Sequence, residues 1–123
     1  MDENVQNEKE TEINETAMQI IIHAGDARLH VVGAISAMGD NRFDEARQQI
    51  TLAQEKLKSA HVLHTRAIQD EARGVYAPHS LLFTHAQDTL MTIKSELLLA
   101  ENLLGVFEKL NQRIDGLDSN GKK

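Results

Sequence analysis

The chain has no cysteine and no tryptophan, and only one proline, three phenylalanines and one tyrosine among its 123 residues. Without cysteine there is no disulfide framework, no zinc site with thiolate ligands and no cysteine nucleophile. The scarcity of aromatic residues argues against a β-sandwich or barrel, whose core draws on aromatic and β-branched side chains. A single proline permits long uninterrupted helices. The length allows one domain, and we predict that it is all-α.

Long apolar runs and basic patches are also missing. No apolar run approaches the roughly 18 residues of a membrane span, and the acidic N-terminus does not resemble a secretory signal. The net charge is −6, of which residues 1–16 contribute −5. A nearly neutral body without stacking aromatics does not suit nucleic acid. We therefore expect a cytoplasmic protein that neither binds nucleic acid nor inserts into a membrane.

Apolar residues recur at alternating spacings of three and four, which is typical of packed helices. Three such segments are separated by Gly39-Asp40-Asn41 and by a short link that contains the only proline. The link follows Gly74, which we predict to be the C-cap of the second helix. We predict a disordered acidic tail over residues 1–12, a three-helix domain over 13–115 and a flexible tail over 116–123. The predicted seams are Ile13, Ala17, Ile20, Ala24, Ala27, Val31, Ala34 and Met38; Phe43, Ala46, Ile50, Ala53, Leu57, Ala60, His64 and Ala67; and Leu82, Ala86, Thr89, Ile93, Glu96/Leu97, Ala100, Leu103, Phe107, Leu110 and Ile114.

The third helix carries apolar residues around most of its circumference. A helix of this kind must be covered on most sides, and two partner helices in the same chain do not suffice. We therefore predict self-association with closed symmetry and the third helix innermost. A monomer with some exposed leucines is the alternative. The residues off the seam are Leu81, Phe83, Leu90, Met91, Leu98, Leu99, Leu104 and Val106.

Six histidines are many for so short a chain. His61 and His64 stand three apart, but no second pair of ligands at zinc-like spacing accompanies them. His85 lies near the start of the third helix, with Asp88 one turn further on the same face. Two interpretations stay open on the residues alone. One is a hydrogen-bonded His–Asp pair at a polar edge; the other is a reactive imidazole beside an acid with a separate role. We expect His23, His30 and His79 to be ordinary surface or core residues.

The segment Ser80-Leu81-Leu82-Phe83-Thr84-His85-Ala86-Gln87-Asp88-Thr89-Leu90-Met91 resembles the signature of the lactose/cellobiose family of enzyme IIA components of the bacterial sugar phosphotransferase system. Ala24-Gly25-Asp26-Ala27-Arg28, Gly39-Asp40 and Ala60-His61 resemble the family in the same order. The resemblance runs over about residues 13–112. It departs at two positions, since the family commonly has His where this chain has Thr89 and Gln where it has His64.

The resemblance implies a fold, a reaction and a set of partners. The fold is three long antiparallel helices per subunit, associated as a homotrimeric nine-helix bundle. The histidine matching His85 accepts a phosphoryl group from the phosphocarrier protein HPr and passes it to a cysteine of the cognate enzyme IIB, which serves the membrane enzyme IIC. The aspartate matching Asp88 meets its two symmetry mates, and the three share one divalent cation per trimer, commonly Mg²⁺.

The sugar implied is a β-linked disaccharide of the lactose, cellobiose or chitobiose type, chosen by the membrane partner. Two other classes compete with this function. A non-catalytic trimeric helical adaptor would explain the seams, but not the cluster around His85. A small metal-storage bundle repeats carboxylates and a Glu-x-x-His pattern, and no Glu precedes a His by three in this chain.

Overall fold

The computed structural model describes residues 2–121, with side-chain environments to residue 119. Over this range the chain forms three α-helices, α1 (Glu3–Gly39), α2 (Phe43–Ala72) and α3 (Leu81–Gly121). The all-α prediction is confirmed. Helix α2 runs antiparallel to α1 and α3, so that α1 and α3 point the same way. None of the helices in the described range is both long and apolar enough to cross a membrane.

The C-terminal ends of α1 and α2 are closed by the same hydrogen-bonding motif. At the end of α2, the amide of Gly74 donates to the carbonyl of Glu71 and that of Val75 to Asp70, each at 3.0 Å. Gly74 has φ 82°, a left-handed conformation that glycine adopts without strain. The prediction that Gly74 ends this helix is confirmed, although the C-cap residue itself is Arg73.

At the end of α1 the left-handed position is taken by Asn41, with φ 59°. The amide of Asn41 donates to Met38, and that of Arg42 to Ala37. Asparagine is the residue that most often replaces glycine here, because its short polar side chain tolerates this conformation. The turn then leads directly into α2.

The core is built largely from alanine. Small side chains let the helices approach closely, while Ile20, Leu90 and Ile93 supply the largest fully buried side chains. Among the described side chains, none that is polar or charged is fully buried. The buried residues are Ala17, Ile20, Ala24, Ala27, Val31, Ala34, Ala37 and Met38 on α1, Ala46, Ile50, Ala53, Leu57 and Ala60 on α2, and Ala86, Leu90, Ile93, Leu97, Ala100 and Leu104 on α3.

The seam predicted for α3 differs from the buried one. Thr89 and Leu103 are only half-buried, whereas Leu90 and Leu104, each one position further, are buried. From Ala86 to Leu104 the buried positions keep the alternating spacing of three and four. The predicted period and four of the buried residues are therefore confirmed up to Leu104, and the two exchanged positions arise because neighbouring stripes of α3 are both apolar. Beyond Leu104 the prediction is wrong, since Phe107, Leu110 and Ile114 are exposed.

The boundaries of the domain also differ from the prediction. Residues 3–12, predicted to be disordered, continue α1 toward its N-terminus, where Asp2 accepts a hydrogen bond from the amide of Asn4 at 3.2 Å. Residues 116–121, predicted to be a flexible tail, continue α3. Both segments extend an existing helix, and propagation of a helix costs far less than its nucleation. Residues 1, 122 and 123 lie outside the described range.

Polar contacts on the surface tie the helices together. Arg47 on α2 pairs with Glu108 on α3, and Gln54 donates to Glu101 at 2.9 Å. His30 on α1 donates from Nδ1 to Oε1 of Gln49 at 2.8 Å. These contacts fix the antiparallel register of α2 against its two neighbours.

Candidate functional site

The predicted phosphoryl acceptor, His85, lies one turn inside the N-terminus of α3. Ser80 caps this helix, because its hydroxyl oxygen accepts a hydrogen bond from the amide of Phe83 at 3.0 Å. The amide of Thr84 donates to the carbonyl of Ser80 at 3.1 Å and closes the first turn. The His85 side chain is exposed. The imidazole is thus accessible to a second protein, and it is carried by a capped helix.

Two threonine hydroxyls flank His85 and are already engaged. Thr84 Oγ1 donates to the carbonyl of Ser80 at 3.2 Å, and Thr89 Oγ1 donates to the carbonyl of His85 at 2.8 Å. The Thr89 hydroxyl is therefore bonded to the backbone of its own helix. The amides of Leu81 and Leu82 belong to the first turn, where helix amides lack an intrahelical partner and favour an anion.

Asp88 lies one turn after His85, and its side chain is also exposed. The carbonyl of Asp88 accepts a hydrogen bond from Thr92 Oγ1 at 2.8 Å. Within residues 2–121, no three histidine, aspartate or glutamate side chains come together as a metal site. The described part of one subunit therefore does not by itself offer three such ligands to a cation at Asp88.

A cluster behind His85 joins α2 to α3. His64 Nε2 donates to Gln87 Oε1 at 2.8 Å, and the His64 ring stacks on Phe83 with 5.9 Å between ring centroids and 10° between planes. All three side chains are half-buried. Phe83 and Gln87 stand two residues on either side of His85, so the contacts of His64 support the turn of α3 that carries the predicted acceptor. The spacing of His61 and His64 in the sequence suggested only a weak metal pair. It did not reveal the contacts of His64 with Phe83 and Gln87, because these two residues lie on another helix.

The contacts of His64 with Gln87 and Phe83 lead to a prediction about stability. His64→Ala should lower the free energy of unfolding by about 1 kcal/mol, because it removes one hydrogen bond and one aromatic contact. His64→Gln should lose less, since an amide still reaches Gln87. Urea unfolding at a fixed protein concentration measures both changes, and His61→Ala, an exposed position on the same helix, is the matched control. Equal losses at positions 61 and 64 would contradict this role for His64.

The remaining histidines differ in access to solvent. His61 and His79 are exposed, like His85. His30 is held by Gln49, and the Nδ1 atom of His23 is buried. His61 lines a groove between α2 and α3 together with Lys58 and Lys94. The structure therefore leaves three exposed imidazoles, of which His85 alone stands in the first turns of a capped helix.

Arg28, in the motif Ala24-Gly25-Asp26-Ala27-Arg28, contacts α3. Its Nε and Nη2 atoms donate to the two carboxylate oxygens of Glu96 at 3.0 and 2.8 Å. The hydrogen bond and the charge of Glu96 raise the pKa of the Arg28 guanidinium above its ordinary value. The pair is partly exposed, so it sets the register of α1 against α3 more than it stabilises the fold. No periodicity in the sequence points to this pairing.

Comparison with known proteins supports the resemblance found in the sequence. The family model described as the lactose/cellobiose-specific IIA subunit of the phosphotransferase system matches residues 15–108. The lichenan-specific phosphotransferase enzyme IIA component of Bacillus subtilis is 34% identical over 83% of this chain and 93% of its own length. The lactose-specific EIIA component of Staphylococcus epidermidis is 33% identical over 80% of this chain and 94% of its own length.

A solved structure agrees with the fold as well as the sequence. The cellobiose-specific enzyme IIA from Bacillus anthracis superposes with a TM-score of 0.76 at 32% identity, covering 80% of this chain and 90% of that one. His85 and Asp88 both fall inside the residues that the family model matches. The chain belongs to the lactose/cellobiose-specific IIA family and is a component of the phosphotransferase system for sugar uptake.

Proposed function

We propose that this protein carries phosphoryl groups on His85, which takes them from phospho-HPr and passes them to the cysteine of its cognate enzyme IIB. The observation that carries the proposal is the placement of His85. Its imidazole is exposed, stands one turn inside a capped helix and belongs to the segment that matches the family. Of the three exposed histidines, it has the setting best suited to a transferable anion.

The reaction exchanges one bond to phosphorus for another. A neutral imidazole nitrogen of His85 attacks the phosphorus, and the phosphorus–nitrogen bond to the HPr histidine breaks as the new one forms. In the second step the thiolate of enzyme IIB attacks, and the bond to His85 breaks. Such transfers need alignment and charge stabilisation more than covalent assistance. On this proposal the first-turn amides of α3, at Leu81 and Leu82, would supply hydrogen-bond donors to the anion.

The surface around His85 suits a transient contact with both partners. Leu81 is 78% exposed, while Leu82 and Phe83 are half-buried beside it. This small apolar patch would pack against a partner without holding it, which a carrier requires because it must release HPr before it meets enzyme IIB. The Ser80 cap and the contacts of His64 with Phe83 and Gln87 support this patch.

We further propose a homotrimer in which α3 lies innermost. Leu98 and Leu99 on α3 are 60% and 64% exposed, and Leu29 on α1 is 71% exposed. Large apolar side chains in such numbers on two helices support an assembly that covers them. The result would be the nine-helix bundle implied by the family.

A divalent cation fits the assembly at Asp88. Three exposed carboxylates brought together by symmetry offer the hard oxygen ligands that Mg²⁺ prefers. When bound, the cation would offset their mutual repulsion and hold the subunits together. We assign the Asp88 side chains of three subunits to this one ion and give the ion no part in phosphoryl transfer.

The transported sugar is a β-linked di- or oligosaccharide on this proposal. Relatives of the chain carry names specific for lichenan, oligo-β-mannosides, lactose and N,N′-diacetylchitobiose. The membrane partner makes the choice, since the sugar does not contact the IIA subunit in the proposed relay.

The proposed relay is tested by reconstitution. Incubation with phosphoenolpyruvate, enzyme I and HPr should add one acid-labile phosphate per chain, and addition of the cognate enzyme IIB should remove it. Omission of HPr should prevent the labelling. A chain that stayed unlabelled with active HPr present would be a non-catalytic trimeric adaptor.

A further inference from the structure

Helix α1 reaches beyond the part of the chain that matches the family. The match begins at residue 15, whereas α1 begins at Glu3. The extra turns lie beside the start of α3, where Glu10, Ile13 and Asn14 form one wall of a shallow groove and residues 79–82 form the other. We call residues 3–14 the extension of α1. The extension borders the first turn of the helix that carries His85.

One hydrogen bond joins the extension to the helix cap. Ser80 Oγ donates to Asn14 Oδ1 at 2.6 Å and accepts from the amide of Phe83 at 3.0 Å. A hydroxyl has a single proton, so its direction decides where its lone pairs point. Because the hydroxyl proton points toward Asn14 Oδ1 in this hydrogen bond, a lone pair of Ser80 Oγ stays directed at the amide of Phe83.

We propose that Asn14 is a positioning residue for phosphoryl transfer, acting through the Ser80 cap on the first turn of α3. This inference rests on the proposed role of His85. A helical side chain leans toward the N-terminus of its helix, so the imidazole of His85 stands over the turn that Ser80 closes. A frayed first turn would misplace both the apolar patch at Leu81 and the amides that face the phosphoryl group.

The proposal predicts two measurable effects of Asn14→Ala. The amide of Phe83 should exchange with solvent about fivefold faster, while amides in the middle of α3 keep their protection. The kcat/KM for phosphoryl transfer from phospho-HPr should fall about fivefold. The assay is run well below the unfolding temperature of the variant. Asn14→Asp should restore both values, since a carboxylate also accepts the Ser80 proton. Asn7→Ala, an exposed asparagine on the same extension, is the matched control.

A double-mutant cycle separates this role from a general loss of stability. Ser80→Ala should reproduce the effects of Asn14→Ala, and adding Asn14→Ala to Ser80→Ala should change nothing further. Additive effects would overturn the proposal, as would wild-type transfer rates in Asn14→Ala. Failure of the wild type to accept phosphate would overturn the proposed function, and this inference with it. Normal wild-type labelling with an unaffected Asn14→Ala would overturn this inference alone.

Discussion

His85→Ala is expected to abolish phosphoryl uptake from phospho-HPr. The substitution removes the only histidine of α3, whereas His79, the nearest other exposed imidazole, lies before the helix begins. The His85 side chain is exposed, so the fold should tolerate its loss within about 0.5 kcal/mol. Labelling with radioactive phosphoenolpyruvate, followed by intact-mass measurement, should find less than about one hundredth of the wild-type phosphate.

The other exposed histidines provide the controls for this experiment. His61→Ala and His79→Ala each remove an accessible imidazole and should still accept one phosphate per chain. Helicity and sedimentation of all three variants should match the wild type. If His85→Ala still gained one phosphate per chain, another histidine would be the acceptor. His61 would be the first candidate, because Lys58 and Lys94 line the same groove and would attract an anionic group.

Periodicity predicted most of the fold because the core consists of helix faces. On α1, seven of the eight predicted seam residues are buried and Ile13 alone is half-buried. The Gly74 cap was predictable for a similar reason, since only a residue that adopts positive φ without strain closes the helix in this way. Both signals depend on residues close together in the sequence.

The same logic failed where more than one face of a helix is apolar. On α3 the choice between Thr89 and Leu90, or between Leu103 and Leu104, depends on the angle at which α1 and α2 pack. That angle is a tertiary property. The acidic composition of residues 1–12 likewise favoured disorder, although each added residue extends a helix that is already nucleated.

The sequence singled out the proposed acceptor of the candidate site, and it did not reveal the contacts that support this residue. His85 stood out through the resemblance and through its place at a helix start. The hydrogen bonds from His64 to Gln87 and from Ser80 to Asn14 span 23 and 66 residues of sequence. No local spacing reveals such contacts, because they depend on which helices lie side by side.

The second large effect is expected for Asp88 in the assembly. Three carboxylates that converge on an axis repel one another, and a divalent cation offsets that repulsion. Removal of the cation with a chelator should therefore weaken the wild-type trimer, raising the concentration at which it dissociates by about tenfold or more. Asp88→Leu should remove the repulsion together with the need for the cation, since apolar replacement of buried charge is often neutral or stabilising.

Sedimentation velocity of both proteins, each with and without chelator, measures these effects. Asp88→Leu should stay trimeric in both conditions and should still accept phosphate on His85, because the proposal gives Asp88 a role in assembly and none in transfer. Asp115→Leu, an exposed aspartate further along α3, should keep the chelator sensitivity of the wild type. Chelator sensitivity that persisted in Asp88→Leu would remove Asp88 from the metal site. A monomer in all samples would contradict the trimer itself and would leave the leucines of α3 exposed in solution.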